Sequence, residues 1–162
     1  MSYFITLIEF FAGIILTLIV ISVVRTLRIP ARIHKAELLF EEDSVGQAMD
    51  IVQSVLERKR SYIPALYLKA KIFRRQRQYI LAIAEANNIL KMGDFNKYIS
   101  ELDLHYLLAD LYNRQQLFHK EIEEYRLILN LSPSDITANH ELGLHNFKLK
   151  KYREARDMLV RA

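Results

Sequence analysis

The chain has 162 residues, of which 51% are hydrophobic, so it is long enough to bury one core of ordinary size and to carry a short additional segment. It contains no cysteine, which excludes disulfides, thiolate metal sites and cysteine nucleophiles. The net charge of +4 is modest and basic residues are mixed with acidic ones, so nucleic acid is not an expected partner.

The N-terminal segment is strongly apolar. Residues 3–24 read YFITLIEFFAGIILTLIVISVV and contain one ionisable side chain, Glu9. At about 1.5 Å per residue, a helix of this length spans the roughly 30 Å hydrocarbon core of a bilayer. A cleaved signal peptide would carry basic residues before the apolar run, whereas here they follow it. The pattern therefore predicts a single transmembrane helix within a membrane anchor at residues 1–28.

Basic residues set the expected orientation of this anchor. Arg25, Arg28, Arg32 and Lys35 follow the apolar run, and no Lys or Arg precedes it. The positive-inside rule then places the N-terminus outside and the rest of the chain in the cytoplasm, at the cell inner membrane. A periplasmic location for the rest of the chain is the alternative.

Four polar or small residues follow one side of the apolar helix. Thr6, Glu9, Gly13 and Thr17 are separated by three, four and four residues. An ionisable group inside a membrane usually faces protein, and a small residue one turn away allows a second helix to approach closely. This stripe predicts packing against a membrane partner. The alternative is that Glu9 reaches the lipid headgroups and has no partner.

The remaining chain is predicted to be all-α, because it has few Gly and Pro residues and its apolar residues recur at spacings of three and four. Shifting the chain against itself by 34 residues aligns apolar and small residues, and the two middle units align at 39 instead. A fixed period of this length indicates a repeat architecture. The predicted units are 29–62, 63–96, a loop at 97–101, 102–135, and an incomplete unit at 136–162.

The small residues of these units carry a resemblance to a known family. Ala36, Ala70, Ala109 and Gly143 occupy the same position in successive units, where the resemblance expects a small side chain. In this respect the chain resembles the tetratricopeptide repeat (TPR) family, whose 34-residue unit is a helix hairpin. Glu121 departs from the pattern at a second small position. The resemblance implies an α-solenoid of helix hairpins.

Prolines and caps mark the expected helix boundaries. Pro30 is expected to separate the membrane helix from the first repeat helix. Pro64 suits the first turn of a helix, and Ser134 or Asp135 is the expected cap of the helix that follows. The unit at 136–162 stops before its repeat is complete, so we expect either a longer array or completion by a partner or another copy.

The resemblance also implies a partner-binding surface, because TPR arrays bind ligands on the concave face formed by the first helix of each hairpin. That face is basic and aromatic here, which suits an extended acidic segment or a chain terminus. A solvated turn is the alternative for Arg74, Arg75 and Arg77. The predicted partner-binding residues are Tyr67, Lys71, Arg74, Arg75, Tyr106, Asn113, Arg114 and Lys148, and the same positions also include Asp110, His140, Leu144 and Phe147.

Catalytic and cofactor signals are weak in this sequence. No two of the five histidines are three or four residues apart, the spacing that would place them on one side of a helix. Because zinc needs at least three convergent ligands, they do not predict a zinc site. No glycine-rich phosphate loop is present, and neighbouring carboxylates are read as solvated helix faces. We therefore predict no metal, no cofactor and no enzymatic activity.

These features together predict a membrane-tethered TPR adaptor that recruits or organises protein partners, including a membrane protein. The layout is similar to that of the bacterial lipopolysaccharide assembly protein B family, although the cysteine metal module of that family is absent here. The alternative is a structural subunit of a large envelope machine, such as a flagellar motor accessory ring or a secretion apparatus, which assembles with copies of itself through its repeats. A third reading places a catalytic part beyond residue 162.

Overall fold

The computed structural model describes the backbone of residues 2–93, 95 and 99–162, and the side chains of these residues apart from 2–9 and 23–27. The described chain is helical, as the sequence predicts, and it divides into two compact units, Met1–Arg60 and Ser61–Ala162. The helices described are α1 (Ser2–Glu41), α2 (Val45–Arg58), α3 (Ile63–Arg75), α4 (Tyr79–Met92), α5 (Glu101–Arg114), α6 (Phe118–Leu131), α7 (Ile136–Lys148) and α8 (Tyr152–Leu159).

The predicted membrane anchor is contradicted by the helices of the structure. Within the described part of the chain, none of the helices combines the length and the apolar character that crossing a bilayer requires. The transmembrane part of the predicted fold class is therefore wrong.

The predicted location at the inner membrane is wrong for the same reason, since it depended on that span. The anchor is also not a separate element. α1 continues through Pro30, which was expected to separate two helices, and its C-terminal part belongs to the first helix pair. A proline inside a helix usually removes one hydrogen bond and kinks the helix, but here it does not end the helix.

The predicted packing stripe in α1 gains no partner from the described residues. No atom lies within 4 Å of the position that a Cβ of Gly13 would take. The hydroxyl of Thr17 donates a hydrogen bond of 2.8 Å to the carbonyl oxygen of Ile14 in its own helix. The side chains of Thr6 and Glu9 lie outside the described residues.

In the first unit, the C-terminal part of α1 packs against α2. The buried contacts come from residues spaced three or four apart on each helix, which is the spacing of one helix face. Small residues allow the two helix backbones to approach. The buried side chains are Ile33, Ala36 and Phe40 in α1 and Ala48, Val52 and Val55 in α2.

The second unit consists of three helix hairpins. α3 packs against α4, α5 against α6 and α7 against α8, while α4 also contacts α5 and α6 contacts α7. The core between them is built mainly from Leu and Ile. Its largest fully buried apolar side chains are Leu68, Ile72, Ile89, Leu104, Leu108, Leu111 and Ile128.

A small residue on the first helix of each hairpin allows the second helix to approach closely. Ala70 and Ala109 are at most 1% exposed. In the last hairpin this residue is Gly143, and a Cβ added there would lie 2.7 Å from Cγ of Leu159. The small-residue positions of the predicted repeat therefore mark the close contacts of the hairpins.

The corner between the two helices of each pair has the same backbone conformation throughout. Asp43, Arg77, Gln116 and Lys150 adopt the left-handed conformation, with φ values of 63°, 60°, 58° and 61°. Their positions are separated by 34, 39 and 34 residues, which are the shifts that align the sequence with itself. This conformation is uncommon for residues other than glycine, so its recurrence shows that the same corner is rebuilt in each helix pair.

Capping residues and a proline mark the ends of helices in the second unit. Asp135 is the residue that caps α7, accepting a hydrogen bond of 2.9 Å from the backbone N–H of Ala138. Pro64 lies in the first turn of α3, as the sequence predicts. Gly93 ends α4 in the left-handed conformation. The predicted loop at 97–101 begins with residues outside the described part of the chain, and its last residue, Glu101, begins α5.

Candidate partner-binding face

All eight predicted partner-binding residues lie in the second unit, on the first helix of a hairpin. Tyr67, Lys71 and Arg74 follow one stripe of α3, at spacings of four and three residues. The corresponding stripe of α5 begins at Tyr106 and ends at Asn113 and Arg114. We call the surface formed by these stripes and by α7 the α3–α5–α7 face. Three pockets open along it.

The first pocket, the α3–α5 cleft, has a volume of about 200 Å³. Tyr67 and Lys71 line it from α3, and Asp103 and Tyr106 line it from α5. Burial raises the pKa of the Tyr67 hydroxyl, and the negative charge of Asp103 raises it further. Asp103 also belongs to the cap of α5, because its carboxylate accepts a hydrogen bond of 2.8 Å from the backbone N–H of Ser100. The cleft is therefore built on a fixed helix start.

Tyr106 connects this cleft to the next hairpin. Its hydroxyl donates a hydrogen bond to the carboxylate of Asp135, the residue that caps α7. Burial and this hydrogen bond raise the pKa of Tyr106 to about 12. Tyr106 thus has a structural contact in addition to its place on the predicted face.

The second pocket, which we call the arginine pocket, has a volume of about 210 Å³. A carboxylate beside it organises two of its arginines. Asp110 lies 3.3 Å from Nη1 of Arg74 and accepts hydrogen bonds of 2.9 Å from Nε of Arg114. Hydrogen bonding to Asp110 raises the pKa of Arg114, so this guanidinium stays charged. The residues that line the arginine pocket are Arg74, Arg75, Arg77, Tyr79 and Arg114.

The third pocket, the α5–α7 groove, is the largest of the three, with a volume of about 340 Å³. Asn113, Lys148 and Leu144 line it from α5 and α7, and Glu121 and Tyr125 line it from α6. Desolvation by burial is the largest cause that raises the pKa of Tyr125 to about 12, and the negative charge of Glu141 adds to it. The groove therefore combines apolar side chains with both signs of charge.

Sequence reasoning missed the role of Glu121 in this groove. It stands where the repeat pattern expects a small residue, and it is only 8% exposed. Its carboxylate accepts a hydrogen bond of 2.8 Å from Nδ2 of Asn113 on the neighbouring helix. The departure from the pattern was the available signal, because a buried carboxylate in place of alanine requires a polar partner nearby.

A metal site would need several His, Asp or Glu side chains that converge on one point. In the part of the chain that the structure describes, no three His, Asp or Glu residues are grouped closely enough to hold a metal ion. His105 is buried, and its Nδ1 lies 2.6 Å from Oε2 of Glu124 in the same hairpin. This pair links α5 to α6 inside the hairpin.

No protein-family model matches the chain. No curated protein is significantly similar to it in sequence. Solved structures are similar in fold. MamA from Desulfovibrio magneticus RS-1 has 19% identity and a TM-score of 0.65, with 80% of this chain and 71% of MamA covered.

Two further structures show the same likeness. YrrB, described as a TPR protein with an unusual peptide-binding site, has 18% identity and a TM-score of 0.65 over 80% of this chain and 64% of YrrB. A TPR protein from Parabacteroides merdae ATCC 43184 has 18% identity and a TM-score of 0.70 over 82% of this chain and 51% of that protein. These likenesses establish that the chain has a TPR-like helical repeat fold.

Proposed function

We propose that this chain is a non-catalytic scaffold whose α3–α5–α7 face binds an extended segment of a protein partner. The observation that carries the proposal is the placement of the eight predicted residues, since every one of them lines the α3–α5 cleft, the arginine pocket or the α5–α7 groove. A row of pockets along successive helices suits an extended chain, because each pocket can accept a different side chain.

The chemistry of the face also supports a peptide ligand. Tyr67, Arg74 and Lys71 present an aromatic ring and cations at one end, and Leu144 presents apolar surface at the other. Aromatic and arginine side chains contribute most of the binding energy in protein interfaces. The likeness to YrrB, which has a described peptide-binding site, agrees with this use of the fold.

Phage display with random dodecapeptides tests the proposal on the full chain. Affinities of the selected peptides are measured by fluorescence polarisation with the wild type and with a Leu144→Ser, Lys148→Ala double variant in the α5–α7 groove. We expect the double variant to weaken binding by about tenfold or more, since one well-placed contact is worth this factor. Lys151→Ala is the matched control, because this exposed lysine does not line the groove.

Two results would contradict the scaffold proposal. The library could yield no peptide with measurable affinity, or the selected peptides could bind the double variant as tightly as the wild type. Circular dichroism of each variant establishes that its helices are retained, so a loss of binding can be assigned to the face.

A structural subunit that assembles through its repeats is the second candidate function. It is favoured by exposed apolar side chains at the corner between α7 and α8: Phe147 is 58% exposed, Leu149 53% and Tyr152 59%. Such a patch is typical of an interaction surface. Light scattering after gel filtration separates the candidates, because a large ordered oligomer that dissociates in the Phe147→Ser, Tyr152→Ser variant supports assembly, whereas a monomer argues against it.

A further inference from the structure

The arginine pocket brings guanidinium groups from two hairpins to one place. Arg74 and Arg75 lie in the last turn of α3, and Arg114 lies in the last turn of α5. Arg77 joins them from the corner that follows α3. Among the described residues that line the pocket, none carries a carboxylate. Four positive charges therefore surround a space of about 210 Å³.

A carboxylate beside the pocket compensates only part of the charge of Arg74 and Arg114. Asp110 is shared between Arg74 and Arg114, so one negative charge serves two cations. Both arginines remain accessible, with side-chain exposures of 36% and 48%. Like charges held this close repel one another, and a bound anion would offset the repulsion.

Helix electrostatics explain only part of the cluster. Cations in the last turn of a helix interact favourably with the helix dipole, which accounts for Arg74, Arg75 and Arg114. Arg77 lies outside the helix, at a left-handed position where the equivalent residue of the next hairpin is Gln116. A positive charge at the corner is thus not required by the turn.

We propose that the arginine pocket binds the phosphate of a phosphorylated side chain in the partner segment, an inference that rests on the proposed function. A phosphomonoester carries a charge of about −1.5 to −2 and three acceptor oxygens, so it can pair with several guanidinium groups at once. Arginine pairs with phosphate through two parallel hydrogen bonds. A carboxylate, with one charge and two oxygens, satisfies fewer of these donors.

Three labelled heptapeptides that differ only in their central residue test the proposal with the full chain. Their sequences are Gly-Ser-Gly-X-Gly-Ser-Gly, where X is phosphoserine, serine or glutamate, and binding is measured by fluorescence polarisation. We expect the phosphoserine peptide to bind at least about tenfold more tightly than the serine peptide, because a single hydrogen bond to a charged group supplies that factor. The glutamate peptide should lie between them.

Arg77→Gln is the informative variant, because Gln116 already adopts the same corner conformation in the next hairpin. It should lower the affinity for the phosphoserine peptide by about fivefold or more, as expected for loss of one charge-assisted contact, and leave the affinity for the serine peptide unchanged. Lys150→Gln is the matched control, since it removes one positive charge at the equivalent corner of the last hairpin.

Three results would overturn the phosphate assignment: equal affinity for the phosphoserine and serine peptides, an equal effect of Arg77→Gln and Lys150→Gln, or displacement of the phosphoserine peptide by inorganic phosphate at the same affinity. The last result would mean that the pocket takes the free ion and not a phosphorylated segment. If the heptapeptides do not bind as expected, the scaffold proposal still stands, provided that the Leu144→Ser, Lys148→Ala variant weakens binding of the peptides selected by phage display. The scaffold proposal is overturned if this double variant binds the selected peptides as tightly as the wild type.

Discussion

Substitution of Gly143 by alanine tests how closely the last hairpin is packed. A Cβ at this position would lie 2.7 Å from Cγ and 2.9 Å from Cδ2 of Leu159, and 3.4 Å from the carbonyl oxygen of Ala155. Contacts below 3.0 Å require atoms to move. Since Leu159 is held on α8, either its side chain must change rotamer or α8 must shift away from α7.

The expected magnitude combines two opposing effects. Overpacking of a core typically costs about 1–3 kcal/mol. Replacing glycine by alanine within a helix stabilises it by up to about 1 kcal/mol. For Gly143→Ala the steric cost is therefore expected to prevail, with a loss of about 1 kcal/mol in the opening free energy of the α7–α8 hairpin.

Native-state hydrogen exchange measures this free energy for each helix pair separately. Gly46→Ala is the matched control, because no atom lies within 4 Å of its added Cβ, and it should stabilise the first pair by about 0.5 kcal/mol. Leu159→Ala removes the clash partner. We expect the double variant Gly143→Ala, Leu159→Ala to be more stable than the sum of the single effects by about 1 kcal/mol.

Two outcomes would refute this reasoning about hairpin packing. Gly143→Ala could stabilise α7–α8 as Gly46→Ala stabilises its own helix pair. Alternatively, the effects of Gly143→Ala and Leu159→Ala could be additive, which would mean that the two positions do not meet.

Three further predictions concern other contacts of the second unit. The pKa of Tyr106 is raised from 10.0 to about 12 in the folded state, so its contribution to stability is complete below pH 10 and is lost as the pH rises to 12. Tyr106→Phe removes the hydrogen bond to Asp135. In this variant the free energy of unfolding in urea should therefore fall less steeply with pH between pH 10 and 12 than in the wild type. Arg77→Gly should raise the thermal unfolding temperature, as relief of a left-handed backbone is worth about 1 kcal/mol, whereas Arg77→Val should lower it. His105→Ala should reduce the urea unfolding free energy by about 3 kcal/mol, because it leaves the carboxylate of Glu124, which is only 12% exposed, without this partner, and an unchanged value would contradict this role.

The repeat architecture could be predicted because its requirements are local. Each hairpin needs a small residue at the helix contact and a corner residue that tolerates a left-handed backbone. Ala70 and Gly143 meet the first requirement, and Arg77 and Lys150 meet the second, at the spacing that the sequence comparison found. A period in the sequence thus records a period in the backbone.

The errors in the prediction come from features that periodicity does not record. Hydrophobicity in residues 3–24 was read as a membrane span, but no helix in the described part of the chain is both long and apolar enough to cross a bilayer. A boundary was also expected at Pro30, yet α1 extends from Ser2 to Glu41 as one helix. A proline disfavours a helix interior by about 3 kcal/mol, so sequence reasoning places a boundary there. Packing of the C-terminal part of α1 on α2 provides stabilisation that this local preference does not include.

Side-chain pairs between helices also could not be predicted from the sequence. Asn113 was predicted as a ligand-facing residue, and the structure shows its amide bonded to Glu121 on the next helix. Tyr106, predicted for the same role, is bonded to Asp135. In both pairs the two residues are eight or more positions apart in the sequence and are not on the same helix. The spacing of residues within one helix therefore does not predict these contacts.

These pairs restrict how a partner segment can use the α3–α5–α7 face. Tyr106 and Asn113 already have partners, so they can shape the face but add little new hydrogen bonding to a ligand. Arg74 and Arg114 share one carboxylate, that of Asp110, and the α5–α7 groove offers apolar surface at Leu144. Because a segment gains most where charge is uncompensated or apolar surface is exposed, its acidic part should lie over the arginine pocket and its apolar part in the α5–α7 groove. Among the displayed peptides, those that carry both features should therefore bind more tightly than those that carry either alone.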